Sequence, residues 1–160
     1  FLPLAADELA STSARRLAQL YRLAEHLARN CQGSGLCTVN SLSGISRPGF
    51  YGFDLRFATT ILRVCLSVDR WATLRETPFW LLVYDAAGRP ARGVDARLGA
   101  LASDAPPRLL RDSETEAPLV PLFPLTGVGR EAVLADLERQ VEEVARLLGE
   151  GPTSSFSASN

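Results

Sequence analysis

The sequence predicts an α+β domain: a mainly antiparallel sheet of four to five strands, with the N- and C-terminal helices packed on one of its faces. Three observations carry this reading. Between Phe50 and Asp85 lie both tryptophans, two of the three tyrosines and the strongest alternation of apolar and polar residues in the chain. A 3.6-residue apolar period runs ahead of that stretch, from Leu4 to Asn30, and another follows it, from Gly129 to Leu148. No internal repeat is visible.

In the first helix Leu17, Leu20, Tyr21, Ala24, Leu27 and Ala28 form one stripe, with Arg15, Arg16, Arg22 and Arg29 mostly off it. Asn30 and Gly33 are its stop signals. Residues 31–47 are rich in Gly and Ser and read as a loop, with at most a short strand near Leu36 to Val39. Phe53, Leu55 and Phe57 then alternate with Asp54 and Arg56, and Leu62, Val64, Leu66 and Val68 with Arg63, Cys65 and Ser67. That is the pattern of two strands sharing one buried face. A four-residue loop, Ala58 to Ile61, sets Phe57 against Leu62, Leu55 against Val64 and Phe53 against Leu66. A one-residue slip would put half of these side chains into water. Asp69 is the expected N-cap of a short helical turn carrying Trp71, and Pro78 ends that turn. The unbroken apolar run Phe79 to Tyr84 reads as a central strand covered on both faces. Beyond a turn at residues 85–90, Val94 to Ala102 reads as a short helix and residues 103–118 as an acid- and proline-rich surface loop. The prolines in Leu119 to Leu125 confine that strand to an edge. Gly149 and Gly151-Pro152 close the last helix. Residues 1–150 thus make one domain, followed by a Ser-rich tail at 151–160.

A chain of 160 residues, 46% apolar and 22% charged, has the composition of an ordinary globular domain. No apolar run approaches the roughly 20 residues that span a bilayer, so no membrane contact is expected. Net charge is -1: nine arginines face seven acids in residues 1–85, and eight face eleven in 86–160. Every cation is arginine, and methionine is absent, a usage that a GC-rich bacterial genome explains. The missing methionine also suggests the ordered piece of a longer protein, or a processed product. Three cysteines, with no stretch that reads as a secretion signal, point to thiols in a reducing cytoplasm. The spacing of Cys31 and Cys37 would allow a disulfide in an oxidising setting.

The missing residue types exclude much chemistry. Without lysine there is no phosphate-binding P-loop, no Schiff base and no Ser-x-x-Lys acylase. His26 is the sole histidine, so a multi-histidine metal site is impossible. The cysteines do not have zinc-site spacing. Asp112, Glu114 and Glu116 in the acidic loop read as solvation, and no catalytic residue, metal or cofactor is expected. Trp71, Phe79 and Trp80 read as core, with a base-stacking platform as the functional alternative. One constellation stands out: the pairing above sets Arg56 opposite Arg63, and directly opposed like charges destabilise a sheet unless something neutralises them. Asp54 is the structural answer. An anion or phosphate-backbone contact formed by Arg56 and Arg63, with Arg47 nearby, is the functional one.

The segments Gly49-Phe-Tyr-Gly-Phe53, Val68-Asp-Arg-Trp71 and Thr77-Pro-Phe-Trp80-Leu, with Val120-Pro-Leu-Phe-Pro-Leu125 and the helix from Arg130 to Leu148, are similar to a part of uncharacterised bacterial proteins. Those proteins resemble the restriction-endonuclease-like PD-(D/E)XK superfamily of anti-phage and restriction systems. The superfamily's Glu-x-Lys signature has no counterpart in a chain without lysine, so the resemblance carries over no active-site residue. It implies an accessory, C-terminal half used for assembly or substrate positioning. The expected function is therefore a non-catalytic recognition or assembly domain of a bacterial cytoplasmic protein, nucleic-acid- or defence-associated, with a protein partner or self-association. The alternatives are a chaperone-like homodimer taking a partner peptide at the exposed edge strand, and an enzyme with a cysteine nucleophile such as Cys65 or a carboxylate-bound metal.

Overall fold

The computed structural model describes residues 12–33, 45–47, 49–74, 76–104 and 107–150. Helix α1 (Thr12–Gly33) leads into strands β1 (Ile45–Arg47), β2 (Phe50–Arg56) and β3 (Thr60–Ser67). Helix α2 (Val68–Leu74), strand β4 (Phe79–Asp85) and the single turn α3 (Gly99–Ala102) follow. Strands β5 (Leu110–Arg111) and β6 (Pro118–Leu122) precede helix α4 (Arg130–Leu147). The strands form one antiparallel sheet in the order β1-β2-β3-β4-β6-β5, so the expected α+β class holds and two very short strands bring the count to six.

The alternation does what it predicts. Phe53, Leu55, Leu62, Val64, Leu66, Phe79, Leu81, Val83, Val120 and Leu122 share one face and meet Ala24, Leu27 and Ala28 of α1 and Val133, Leu137, Val141 and Val144 of α4. Both long helices thus lie on the same side. Leu27, Leu62 and Leu137 are 0% exposed, each burial worth about 1.5–3 kcal/mol. No helix of the described residues is long and apolar enough to cross a membrane.

Several expectations are corrected in detail. The β2–β3 register is shifted by two residues: Leu55 pairs with Leu62, Phe53 with Val64, Asp54 with Arg63 and Arg56 with Ile61. The backbone N–H of Phe57 donates to Thr60 O (2.9 Å), closing a tighter turn and releasing Ile61 into the strand. A two-residue shift keeps every side chain on its own face, so periodicity cannot choose between the registers and the turn decides. The short helix is capped by Ser67, whose Oγ accepts from the Arg70 N–H at 3.3 Å; Asp69 sits inside the first turn. Cys31 and Arg47 are not loop residues but belong to α1 and β1. The residues expected before Thr12 in the first helix, the strand near Leu36 to Val39, Cys37 and the tail 151–160 lie outside the described residues. Of the helix expected over Val94 to Ala102, only Gly99–Ala102 is helical. The 103–118 segment contains β5, which pairs with β6 and makes β6 the second strand from the sheet's end.

The proline rule survives locally on β6. Only Pro118 and Leu119 pair with β5; Pro121 lies beyond it, opposite Trp80 of β4. Leu122 O accepts from Thr77 Oγ1 (2.5 Å) on the β4 side, so by alternation the backbone groups of Pro121 and Phe123 face outward. Pro121 has no N–H to offer there. At Phe123 the Gln140 amide of α4 takes the place of a strand: Oε1 accepts from Phe123 N at 2.9 Å and Nε2 donates to Phe123 O at 2.8 Å. The outer edge of β6 is thereby closed along its length by β5, a proline and a side-chain amide. The C-terminus of α4 closes with Gly149 at φ 76°, Gly149 N donating to Arg146 O (3.0 Å) and Glu150 N to Ala145 O (2.8 Å).

Candidate functional site

On the sheet face turned away from α1 and α4, Phe50, Ile61, Cys65, Trp80, Leu82, Tyr84, Ala117 and Leu119 form a second, smaller apolar cluster that takes no residue from either long helix. Gly52 lies within it. A Cβ there would stand 3.1 Å from the Phe50 ring and 3.3 Å from Cys65 Cβ, so glycine lets the ring lie against the strand. Trp80 and Phe79 are both fully buried, as expected of core aromatics, and Trp71 on α2 is partly buried.

At the hairpin end of this face Asp54 and Arg63 stand directly opposite each other. Arg63 Nε donates to Asp54 Oδ1 at 2.8 Å and Nη2 to Oδ2 at 3.1 Å, a two-pronged pair. The Arg63 guanidinium also lies 5.2 Å from the centre of the Tyr84 ring. The hydrogen bond from Arg63 to Asp54 raises the arginine's pKa, against the lowering effect of its own burial. The expected opposition of two arginines therefore does not form. Arg56 faces Ile61, is exposed, and has no ion pair among the described residues.

Arg56 and Arg63 line the same shallow depression of about 180 Å³, with Asp54, Ile61, Tyr84 and residues 86–88 of the turn after β4. That turn is built by Asp85, whose Oδ1 accepts from Ala87 N and Arg89 N, both at 2.9 Å. The Arg89 N–H is the first cause of a lowered Asp85 pKa, so the turn carries its negative charge throughout the neutral range. Arg47 is elsewhere: it pairs with Phe50, six residues along β2 from Arg56, or about 20 Å. The structure thus brings two of the three expected arginines together.

A second depression, of about 150 Å³, lies under α2 at the far end of the face, between Phe50, Ser67 and Leu119 and the β5–β6 turn. Its anchor is Asp112, expected from the sequence to be a solvated acid of the loop but only 5% exposed, because its carboxylate is taken up by Arg70 and Thr115. Its Oδ1 accepts from Arg70 Nε at 3.0 Å, and its Oδ2 from Thr115 N (3.1 Å) and Thr115 Oγ1 (2.7 Å). Burial pushes the Asp112 pKa up, but the bonds from Arg70 and Thr115 outweigh it and leave the carboxyl below its ordinary range. Arg70 experiences a similar balance: burial lowers its pKa, and the Asp112 hydrogen bond together with the surrounding charges more than restores it. The only sequence signal was an acidic loop; nothing local announces a partner 42 residues away.

His26 is half-buried on α1. Cys65 is 1% exposed and near enough to Arg70 to interact electrostatically. Among the described residues no group of three His, Cys, Asp or Glu side chains is arranged to hold a metal. No family model matches the chain, and neither the curated proteins nor the solved structures contain a significant match to it.

Proposed function

We propose that this chain is a non-catalytic recognition domain that engages an anionic partner, nucleic acid foremost, on the sheet face turned away from α1 and α4. In this reading it serves a bacterial cytoplasmic protein of the defence-associated kind that the sequence resemblance implies. The observation that carries the reading is Arg56: an exposed guanidinium with no ion pair among the described residues, beside an arginine already neutralised by Asp54. Arg63 spends Nε and Nη2 on Asp54, so Nη1 remains for a second acceptor. A phosphate oxygen at Arg56 would gain a charge-assisted bond without breaking an existing one.

Fluorescence anisotropy with labelled single- and double-stranded oligonucleotides, at a series of salt concentrations, tests this. Arg56→Ala should weaken binding about equally across sequences and reduce the salt slope by about 1. Absence of binding, or a slope that Arg56→Ala leaves unchanged, refutes the reading. The same titration with Arg47→Ala asks whether β1 takes part.

A further inference from the structure

The helix layer on the other side of the sheet carries two stripes of opposite charge. On α1, Arg15, Arg22 and Arg29 follow one another at seven-residue intervals, all exposed, over about 21 Å of helix. None has an ion pair among the described residues, and Glu25 is the one acid on the same stripe. On α4, Glu131, Glu138 and Glu142 lie at i, i+7 and i+11, again without an ion pair among the described residues. Glu138 and Glu142 are four apart, where like charges on a helix repel. Burial first, and Glu142 second, push the Glu138 pKa up. Arg139 is engaged with Asp136 and Glu143 of its own helix, and exposed Arg146, four residues after Glu142, bounds the carboxylates toward the helix's C-terminus. Exposed Ala18 sits between the arginines and exposed Ala135 between the carboxylates, so each stripe has room for a close neighbour.

Because α1 and α4 pack side by side, a twofold axis running along the layer between them sets each α1 over the α4 of a second copy. From this arrangement we infer that two copies of the chain associate through their α1–α4 layers, the arginine stripe of each on the carboxylate stripe of the other. Every contact then forms twice. A polyanion fits this surface less well, since the carboxylates of α4 stand beside the arginines and would repel it. The Gln140 amide keeps the part of β6 that extends beyond β5 from pairing with a second copy. Exposed ion pairs are individually weak and screened by salt, so the dimer is weak and salt-sensitive.

Light scattering and sedimentation over a range of protein concentration, at low and high salt and without nucleic acid, test the inference. The unaltered protein should dimerise at low salt and dissociate at high salt. Arg22→Glu alone and Glu142→Arg alone should each weaken association roughly tenfold or more. An equimolar mixture of the two variants should dimerise again, because both heterologous contacts then join Glu to Arg. A monomer at every concentration, single variants that associate like the parent, or a mixture that stays monomeric each overturn the proposal. Arg56→Ala should dimerise normally, which separates this outcome from the fate of the nucleic-acid reading. An unaltered monomer that binds oligonucleotides and loses them on Arg22→Glu would assign the stripe to nucleic acid and also overturn it.

Discussion

The Gln140 side-chain amide is hydrogen-bonded to both backbone groups of Phe123, donating to its carbonyl and accepting from its N–H, as the next strand of the sheet would. Gln140 is itself 5% exposed and its Nε2 also donates to Asp136 Oδ2 at 2.8 Å. Gln140→Leu keeps the volume and deletes both bonds. It should lower unfolding stability by about 2–4 kcal/mol, the cost of leaving two part-buried backbone groups unmet. A denaturant midpoint measures this, and an increase in aggregation at constant fold would report the reopened edge.

Asp112 makes stability depend on pH in a direction its environment fixes. Its folded pKa lies below the unfolded value, so its contribution is present above about pH 4 and is lost as pH falls through the folded pKa. Asp112→Asn should cost about 2–4 kcal/mol at neutral pH, because Arg70 is left part-buried without its carboxylate. Measured from pH 7 to pH 2, the variant should also show a shallower loss of stability than the parent. Parallel acid limbs would remove Asp112 as their cause.

The Asp54–Arg63 pair lends itself to a double-mutant cycle. Their side chains are 22% and 29% exposed, which leaves solvent screening in place, so the coupling should be about 1 kcal/mol. Arg63→Ala should cost more than Asp54→Ala, since it also removes the guanidinium from the Tyr84 ring. Equal single-variant costs would deny the ring contact any weight.

Gly149 holds φ 76° with open space around its missing Cβ. Gly149→Ala should therefore lose about 1 kcal/mol to backbone strain alone, without a steric clash. The change should leave Glu150 positioned near the β2–β3 turn, where it accepts from Thr59 N at 3.1 Å and from the Thr59 hydroxyl.

Face assignment was legible in the sequence because alternation is a local property: Phe53, Leu55, Val64 and Leu66 all turn inward as their pattern requires. Register was not, since the pairings Leu55–Val64 and Leu55–Leu62 bury the same side chains and differ only in the turn. The arginine site inherited that ambiguity, and a two-residue shift exchanged an Arg56–Arg63 clash for an Asp54–Arg63 bond. The proline-bearing strand was placed at an edge for a sound reason, but two residues as unassuming as Leu110 and Arg111 sufficed to lie outside part of it. Contacts that join distant segments, Arg70 to Asp112 and Gln140 to Phe123, leave no local pattern and appear only once the chain is folded.

Amide chemical-shift mapping of the labelled protein, titrated with an oligonucleotide at low salt, bears most directly on recognition at the sheet face. The perturbed amides should cluster at Arg56, Ile61, Arg63, Ala87 and Gly88, and Arg56→Ala should abolish the cluster. Perturbations confined to α1 and α4, or none at saturating oligonucleotide, would contradict recognition there.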